Sequence, residues 1–490
     1  MIGEHVDVLV VGFGAAGASA ALAAAAAGAR VLVVEKTAAG GGNCRHSGGF
    51  LFAVDGAAAV DHLDALCFGK TPRSVLTAYV DGLRDVPGWL EALGGSAPPV
   101  DMAAFGGMLP SWPHFPGAGH VGYRQFDGGD MRPGIALWNL LEGAVRDRGI
   151  EVRLGCGVTS LVRDPEPGAG AAHDPGAGAV RGAVLADGTT VRAEAVVLAS
   201  GGIEWDAEMR DAYLPLPLVP VGHRGNTGDS VRLAAEAGGS LWHMSAFFGW
   251  LAFRAPEFAA AFTLDVHAPS FIYVDADGRR FADETGWEVH DKVRCWTAFL
   301  PRNANIPHLP GYIIFDEAAR VAGPLHGIVG TPNDYTWSPD NSAEVDRGWI
   351  TRASSADELA ATLGLPALGD TLGAHGDAVA AGRDETFGRS PATLAALEPP
   401  LYAIEMWPGL ATASGGPRRD ARARVVATGT LGAPGGTGGP EQEPAVVPGL
   451  YAAGAAGSIW GHLTEHGGGL TDAIVFGRIA GVEAATHARG

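Results

Sequence analysis

Gly12-Phe13-Gly14-Ala15-Ala16-Gly17 lies between a run of β-formers, VDVLVV, and an alanine-rich stretch, ASAALAAAAAGA. Three glycines at this spacing have distinct tasks. Gly12 permits a tight turn, Gly14 lets the backbone approach a pyrophosphate, and Gly17 lets a helix pack closely on its strand. The unpaired N–H groups of the helix N-terminus then face the phosphate charge. A second strand pattern, Val31–Val34, runs into Glu35, whose carboxylate is placed to accept hydrogen bonds from an adenosine ribose. The chemistry is dinucleotide binding.

A second glycine-rich stretch, GGGNCRHSGG, occupies residues 40–49. Ordered glycine costs conformational entropy, so such a loop brings backbone close to a ligand. Cys44 within it could be a nucleophile, a redox thiol, a cofactor anchor or a small side chain. Its fellow cysteines, Cys67, Cys156 and Cys295, form no C-x-x-C with it, which indicates reduced thiols and no disulfide framework or zinc knuckle. Further along, His462, Glu465 and His466 cluster near the C-terminus, and His290, Lys292 and Arg294 in the middle of the chain. An imidazole titrates near neutral pH and suits proton transfer; a carboxylate does so when burial raises its pKa.

The elements that must position these groups follow from pattern. Val6–Val11, the alanine-rich helix and Val31–Val34 form a βαβ unit. Residues 50–130 read as helical and loop insertions, and Gly134–Arg148 as a helix. Short strands then alternate with turns, Asp187-Gly188 marking a hairpin. The Pro/Gly-rich stretches 165–179 and 432–449 read as loop extensions. From 236 to 400 aromatic-rich segments indicate an inserted domain, and the last part returns to strand, glycine turn and helix.

The chain has 490 residues, enough for two or three domains, and is 47% hydrophobic. Its net charge of −20 argues against nucleic acid and anionic membranes as main partners. The N-terminus shows no secretory pattern, and the apolar run Ala18–Ala27 is too short to span a bilayer. A cytoplasmic protein without a membrane span is expected.

DVLVVGFGAAG, GGNCRHSGG, AEAVVLASGGIEWD, GNTGDSVRLAAEAGG, FIYVDADGRRFADE, VPGLYAAG and GGGLTDAIVFGRIAG together resemble the fumarate reductase/succinate dehydrogenase superfamily of FAD-dependent oxidoreductases, nearly end to end. GGNCRHS, RRFADE with Lys292 and Trp296, and EPPLYAIEMWPGLATASGG are similar to its tricarballylate dehydrogenase branch, and the glycines at 467–469 to its 3-ketosteroid dehydrogenase branch. The resemblance implies an α/β fold: a Rossmann-like FAD-binding domain with a parallel sheet and β-meander, at 1–235 and 401–490, and an inserted α+β capping or substrate domain at 236–400. FAD would be held non-covalently by Gly12, Gly14, Ala15, Ala16, Gly17, Glu35 and Lys36. The second glycine loop would add Gly41, Gly42, Asn43, Cys44, Ser47, Gly48 and Gly49. The strand ends and helix starts would add Val158, Ala199, Ser200, Gly201, Asn226, Asp229, Gly454, Gly469, Leu470, Thr471 and Ile474. Cys44 stands where relatives carry Ser or Thr, so it is read as a small side chain against the cofactor. The spacing of His46 differs from that of the histidine that carries flavin covalently in some relatives. Asp229 is expected to cap backbone N–H groups or to touch the cofactor.

The resemblance also frames the reaction. Fumarate reductases of this family use a closing-motif arginine as proton donor and further arginine and histidine residues for carboxylates. Here GSIWGHLTEHGGG and the cap segment TGWEVHDK lack the arginines. The expected reaction is dehydrogenation, or its reverse, of a C–C bond beside a carbonyl or carboxylate in a small molecule. Hydride passes between substrate and flavin N5 while His466, His462 or Glu465 moves the neighbouring proton, with His290 and Arg294 as further candidates. No metal site is expected, and the electron partner is left open. Fumarate-reductase-like chemistry and flavin binding without turnover are the alternatives. Core packing accounts for most of Trp242, Phe247, Phe248, Trp250, Trp287, Trp296, Trp407 and Trp460, the remainder lining a site for a flat molecule. Arg254, Arg418 and Arg419 join Arg294 as carboxylate candidates.

Overall fold

The computed structural model describes residues 4–101, 112–164, 178–296, 308–327, 329–429 and 443–490. The loop extensions expected at 165–179 and 432–449 fall largely outside these. Strand Glu4–Val11 pairs in parallel with Val31–Val34 on one side and Thr190–Leu198 on the other. Glu151–Arg153 and Val446–Ala452 extend the parallel sheet at its two flanks. Val8, Leu9 and Val10 are fully buried, as a strand covered on both faces must be. Val158–Arg163, Val180–Leu185 and Thr190–Leu198 form an antiparallel meander joined to this sheet, with the Asp187-Gly188 turn between its last two strands.

The helix Ala15–Ala26 follows the first strand and packs against the closing helix, Gly468–His487. Small side chains allow the backbones to meet. A Cβ on Gly477 would lie 2.5 Å from the carbonyl oxygen of Ala16, and one on Gly481 would lie 2.2 Å from that of Ala20. Residues 50–130 contribute helices Ala59–Leu66, Arg73–Leu83 and Val86–Ala92, and also a two-stranded antiparallel sheet, Phe50–Val54 with Val121–Gln125, that brackets them in sequence. Helix Pro133–Asp147 then leads back to the sheet.

The second sheet is built on Leu401–Ala413, a strand of 13 residues. Phe247–Phe253, Gly311–Asp316 and Ile350–Ala353 pair with it antiparallel, and Val219–Pro220 in parallel. The sheet therefore draws on residues 219–413, and its central strand lies beyond residue 400, where the sequence pattern placed the end of the inserted domain. FIYVDADGRRFADE forms one strand, Phe271–Val274, paired with Gly311–Asp316, and turns back so that Arg280 makes an antiparallel bridge to Val274 and its guanidinium meets the Glu284 carboxylate at 2.8 Å. Among the described residues no helix is long and apolar enough to cross a membrane.

Candidate cofactor and active site

The loops at the C-terminal ends of the parallel strands enclose one large cavity with a wall from the second sheet. Its open space, solvent at the mouth included, is about 1630 Å³. Gly12 turns at φ +103°, and a Cβ there would lie 2.5 Å from the Ala199 carbonyl oxygen. Gly17 packs so closely on Gly12 that a Cβ would lie 1.9 Å from its carbonyl oxygen; it shapes the turn from behind the cavity wall. The helix beginning at Ala15 has no side-chain cap and no acidic residue in its first turn, which leaves its N–H groups for an anion.

Glu35 is braced before any ligand arrives. Its carboxylate accepts from the Phe13 N–H at 2.9 Å, the Thr37 N–H at 2.8 Å and the Thr37 hydroxyl at 2.7 Å. Beside it the Lys36 ammonium donates to Asp229 at 2.7 Å and to Thr227 at 2.6 Å. Asp229 therefore lines the cavity but does not cap its helix; Gly228, at φ +77°, occupies the cap position. Asn43 ties three segments together. Its amide donates to the Ala411 carbonyl at 3.1 Å and the Thr412 hydroxyl at 2.9 Å, and its oxygen accepts from the His223 N–H at 2.7 Å. Cys44 is buried against the Gly134 carbonyl, and burial pushes its thiol up to about 12. It remains a protonated, unreactive side chain near neutral pH. His46 lies against His223 with ring centroids 6.1 Å apart, and burial, then the His223 charge, pull it down to about 4.

Another stretch of wall carries the titratable groups. The closing helix starts after Gly467, at φ +75°, with no acidic residue in its first turn, and Gly467, Gly469, Leu470 and Ala473 face the cavity. His466 precedes it. Its ring is buried, neither nitrogen has a hydrogen-bond partner, and Phe50 packs against it at 4.3 Å. Burial, then the charge of His290, push it down to about 3, so it is a neutral imidazole. His290 enters from the cap nearly perpendicular to the rings of Phe248 and Trp250, at 5.4 and 5.1 Å, and stands 5.3 Å from the His466 ring. Its Nδ1 is 2.7 Å from Glu288 Oε1, while Glu288 Oε2 accepts the His290 backbone N–H at 2.7 Å. Burial pulls the His290 imidazole down, but the Glu288 charge and hydrogen bond outweigh it and the pKa is raised. Glu288 is lowered in turn, the His290 charge overcoming its burial.

Glu288, His290 and His466 each offer a donor atom within 4.8 Å of the others. Glu288 and His290 stand closer, at 2.7 Å, than the roughly 3.3 Å between two ligands of a tetrahedral zinc with bonds of about 2.0–2.1 Å. The Glu288–His290 pair is at hydrogen-bond distance, and His466 stands beside it without one.

The other sequence candidates lie elsewhere. Glu465 points away from the cavity into a buried pair with His62 at 2.6 Å and accepts from Tyr123 at 2.8 Å. The His462 ring lies on Phe68 at 4.2 Å, and its carbonyl accepts from Arg294, which also donates to Asp291 at 2.6 Å. Thr471 is behind the wall with its hydroxyl 2.6 Å from Tyr79, Ile474 is in the core, and Gly49 packs on Pro133. Arg419 is buried against Asp472, and Arg254 lies over Trp407 at 5.2 Å. Gly12, Gly14, Ala15, Ala16, Glu35, Lys36, Gly41, Gly42, Asn43, Cys44, Ser47, Gly48, Val158, Ala199, Ser200, Gly201, Asn226, Asp229, Gly454, Gly469, Leu470, His290 and His466 do line the cavity. Phe50, His223 and Val329 line it as well, without a motif to mark them, as do Thr412 and Ser458 from within EPPLYAIEMWPGLATASGG and GSIWGHLTEHGGG. Glu288 was legible only as the E-x-H spacing before His290.

A dinucleotide matches this wall: glycines where a Cβ would fill the space, an uncapped helix N-terminus and a braced acid. The model of the FAD binding domain family matches residues 7–470. A probable fumarate reductase, Ifc3, of Shewanella frigidimarina (strain NCIMB 400) is 27% identical over 99% of this chain and 76% of its own length. A 3-oxosteroid 1-dehydrogenase of Mycolicibacterium smegmatis is 25% identical over 100% of this chain and 98% of its own. In fold, the chain is similar to the crystal structure of 3-ketosteroid delta1-dehydrogenase from Sterolibacterium denitrificans, with a TM-score of 0.81 at 22% identity over 99% of this chain and 100% of that one. With 464 consecutive positions matched, 7 through 470, the chain belongs to the FAD binding domain family.

Proposed function

We propose that the protein oxidises or reduces a C–C bond beside a carbonyl in a small, flat organic molecule, with His290 handling the proton. The chain is an FAD-dependent oxidoreductase. Bound FAD supplies the hydride acceptor or donor. Gly12–Ala16, Glu35 and Lys36 would hold its dinucleotide part, and the 41–48 loop and the start of the closing helix the remainder.

The observation that carries this reading is the Glu288–His290 pair beside the unpartnered His466. Glu288 stabilises the His290 imidazolium, so His290 can take a proton from carbon or return one. His466 stays neutral, and its N–H can donate to a carbonyl oxygen. That bond polarises the carbonyl and acidifies the neighbouring C–H. The N-terminus of the closing helix favours negative charge at the same wall.

The relatives divide by name between a fumarate reductase and an oxosteroid dehydrogenase. Among the described residues lining the cavity, Lys36 is the one lysine or arginine, and Asp229 holds it. Phe50, Phe248 and Trp250 supply ring surface beside the imidazoles. This favours a neutral ketone or enone over a dicarboxylate. A cytoplasmic setting belongs to the same reading, and the four free cysteines accord with it.

Anaerobic photoreduction of the FAD-loaded protein tests it. Addition of 2-cyclohexen-1-one should restore the oxidised flavin absorbance, and fumarate should not. Return with fumarate alone would overturn the substrate class. Return with neither that enone nor a 3-oxo-4-ene steroid would reduce the protein to a flavin binder.

A further inference from the structure

Thr464, Glu465 and His466 form a tripeptide gripped from three directions. On the cap side Asp291, the neighbour of His290, accepts the Thr464 N–H at 3.2 Å and its hydroxyl at 3.4 Å. On the opposite side Glu465 enters a fully buried site. Its side chain and that of His62 are both 0% exposed, with Oε1 2.6 Å from His62 Nε2 and Oε2 2.8 Å from the Tyr123 hydroxyl. The third contact is on His466 itself, where Phe50 packs at 4.3 Å and Tyr123 at 6.3 Å. Phe50 and Tyr123 belong to one two-stranded antiparallel sheet, so the element whose Tyr123 donates to the Glu465 carboxylate also flanks the His466 ring.

We propose that Glu465 is the positioning residue that fixes the His466 imidazole relative to His290. This rests on the proton-handling reading above. His466 makes no hydrogen bond through either ring nitrogen, so only packing and backbone placement set its direction. The backbone of residue 465 is fixed by its own carboxylate, and its carbonyl accepts the Gly468 N–H at 2.9 Å where the closing helix begins. A buried carboxyl–imidazole pair is a weak device for stability, since apolar residues of equal volume often do as well or better. It is a strong device for direction, because both oxygens have a fixed hydrogen-bond partner. Asp291 and Glu465 thus bring the two imidazoles into register from opposite sides.

The test uses the FAD-loaded full chain and the enone it turns over. Glu465→Ala should lower kcat about 10- to 100-fold with KM changed less than about threefold, the signature of lost transition-state alignment. Glu465→Gln keeps an acceptor for Tyr123 and a donor for His62, and should retain at least about a third of kcat. Tyr123→Phe keeps the ring and loses the hydroxyl, and should fall about three- to tenfold. The FAD Kd, read by fluorescence quenching, should stay within about threefold in all three. Unchanged kcat in Glu465→Ala, or equal loss in the Ala and Gln variants, overturns the positioning role. So does a loss of FAD affinity that tracks kcat. Should Glu465→Ala not fold, Tyr123→Phe decides: unchanged kcat there overturns the proposal. His466→Ala and His290→Ala measured alongside separate the two readings. If both keep full turnover, the proton-handling reading fails; if they fall while the Glu465 variants do not, only this inference fails.

Discussion

Two imidazoles in one wall are tuned in opposite directions, and each shift has a visible cause. His466 is buried without a partner and sits near His290, so its charged form is excluded and it titrates at about 3. His290 is buried too, but Glu288 at 2.7 Å keeps its charged form favourable and raises its pKa. The sign of the pH dependence follows. In the reducing direction His290 must begin protonated, so activity persists above the ordinary imidazole value near 6.5 and falls as pH rises through the raised pKa. In the dehydrogenating direction it must begin neutral, so activity rises over the same interval. His290→Gln should remove this limb from both profiles and lower kcat about 10²- to 10⁴-fold, measured as kcat against pH in each direction. A limb that survives the substitution would assign the ionisation to another group. The three closing-motif candidates looked alike in sequence, since spacing alone does not give the side-chain direction at the start of a helix. His466 faces the cavity, while Glu465 and His462, one and four residues earlier, do not.

At the scale of elements, the dinucleotide half was legible because its rules are local. The Gly12–Gly17 spacing, the strand ending at Glu35 and the glycines before the closing helix each specify backbone shape within a few residues. The second sheet was less legible. Its central strand, Leu401–Ala413, contains Pro408 and Gly409, which break strand patterning, and its partners lie far upstream, as in the pairing of Phe247 with Ala413 and of Ile313 with Ile404. Long-range pairing overrides local pattern there. Glu288 escaped notice for a similar reason: its role appears only when Phe248 and Trp250 place the cap segment beside His466. The contact between the first and last helices yields a test at this scale. Gly477→Ala would set a Cβ 2.5 Å from the Ala16 carbonyl oxygen. Ala16 lies in the first turn of the phosphate-facing helix and lines the cavity. The substitution should destabilise the fold by about 1–3 kcal/mol and weaken FAD binding more than Gly376→Ala, whose Cβ would meet nothing within 4 Å. Thermal melts and flavin fluorescence titrations of the two variants make the comparison; equal FAD affinities would show that the helix contact yields without moving the phosphate end.

The whole molecule is organised around a cavity that no single segment builds. Gly12, Asn43, Ser200, Asn226, Thr412, Gly454 and Leu470 meet there from positions spread along the chain, and Phe248, Trp250 and Thr412 come from strands of the second sheet. A ligand that touches both sheets binds the folded arrangement and not the unfolded chain, so it stabilises by mass action. At a free concentration 100 times Kd the gain is about 2.7 kcal/mol, and it grows with the logarithm of concentration. Protein stripped of FAD should therefore melt at a lower temperature, and Tm should climb steadily on titration with FAD. On the placement proposed for FAD, ADP supplies only the part that Gly12–Ala16 and Glu35 would hold. At equal multiples of its own Kd it should raise Tm as FAD does, because the linkage depends only on saturation. At equal absolute concentration it should raise Tm less, because it forgoes contacts with the 41–48 loop, the closing helix and the second sheet. Differential scanning calorimetry at matched concentrations of the two ligands reads this directly. Equal Tm gains would mean that the wall carrying His290 and His466 contributes nothing to cofactor affinity. The second sheet would then serve the substrate alone.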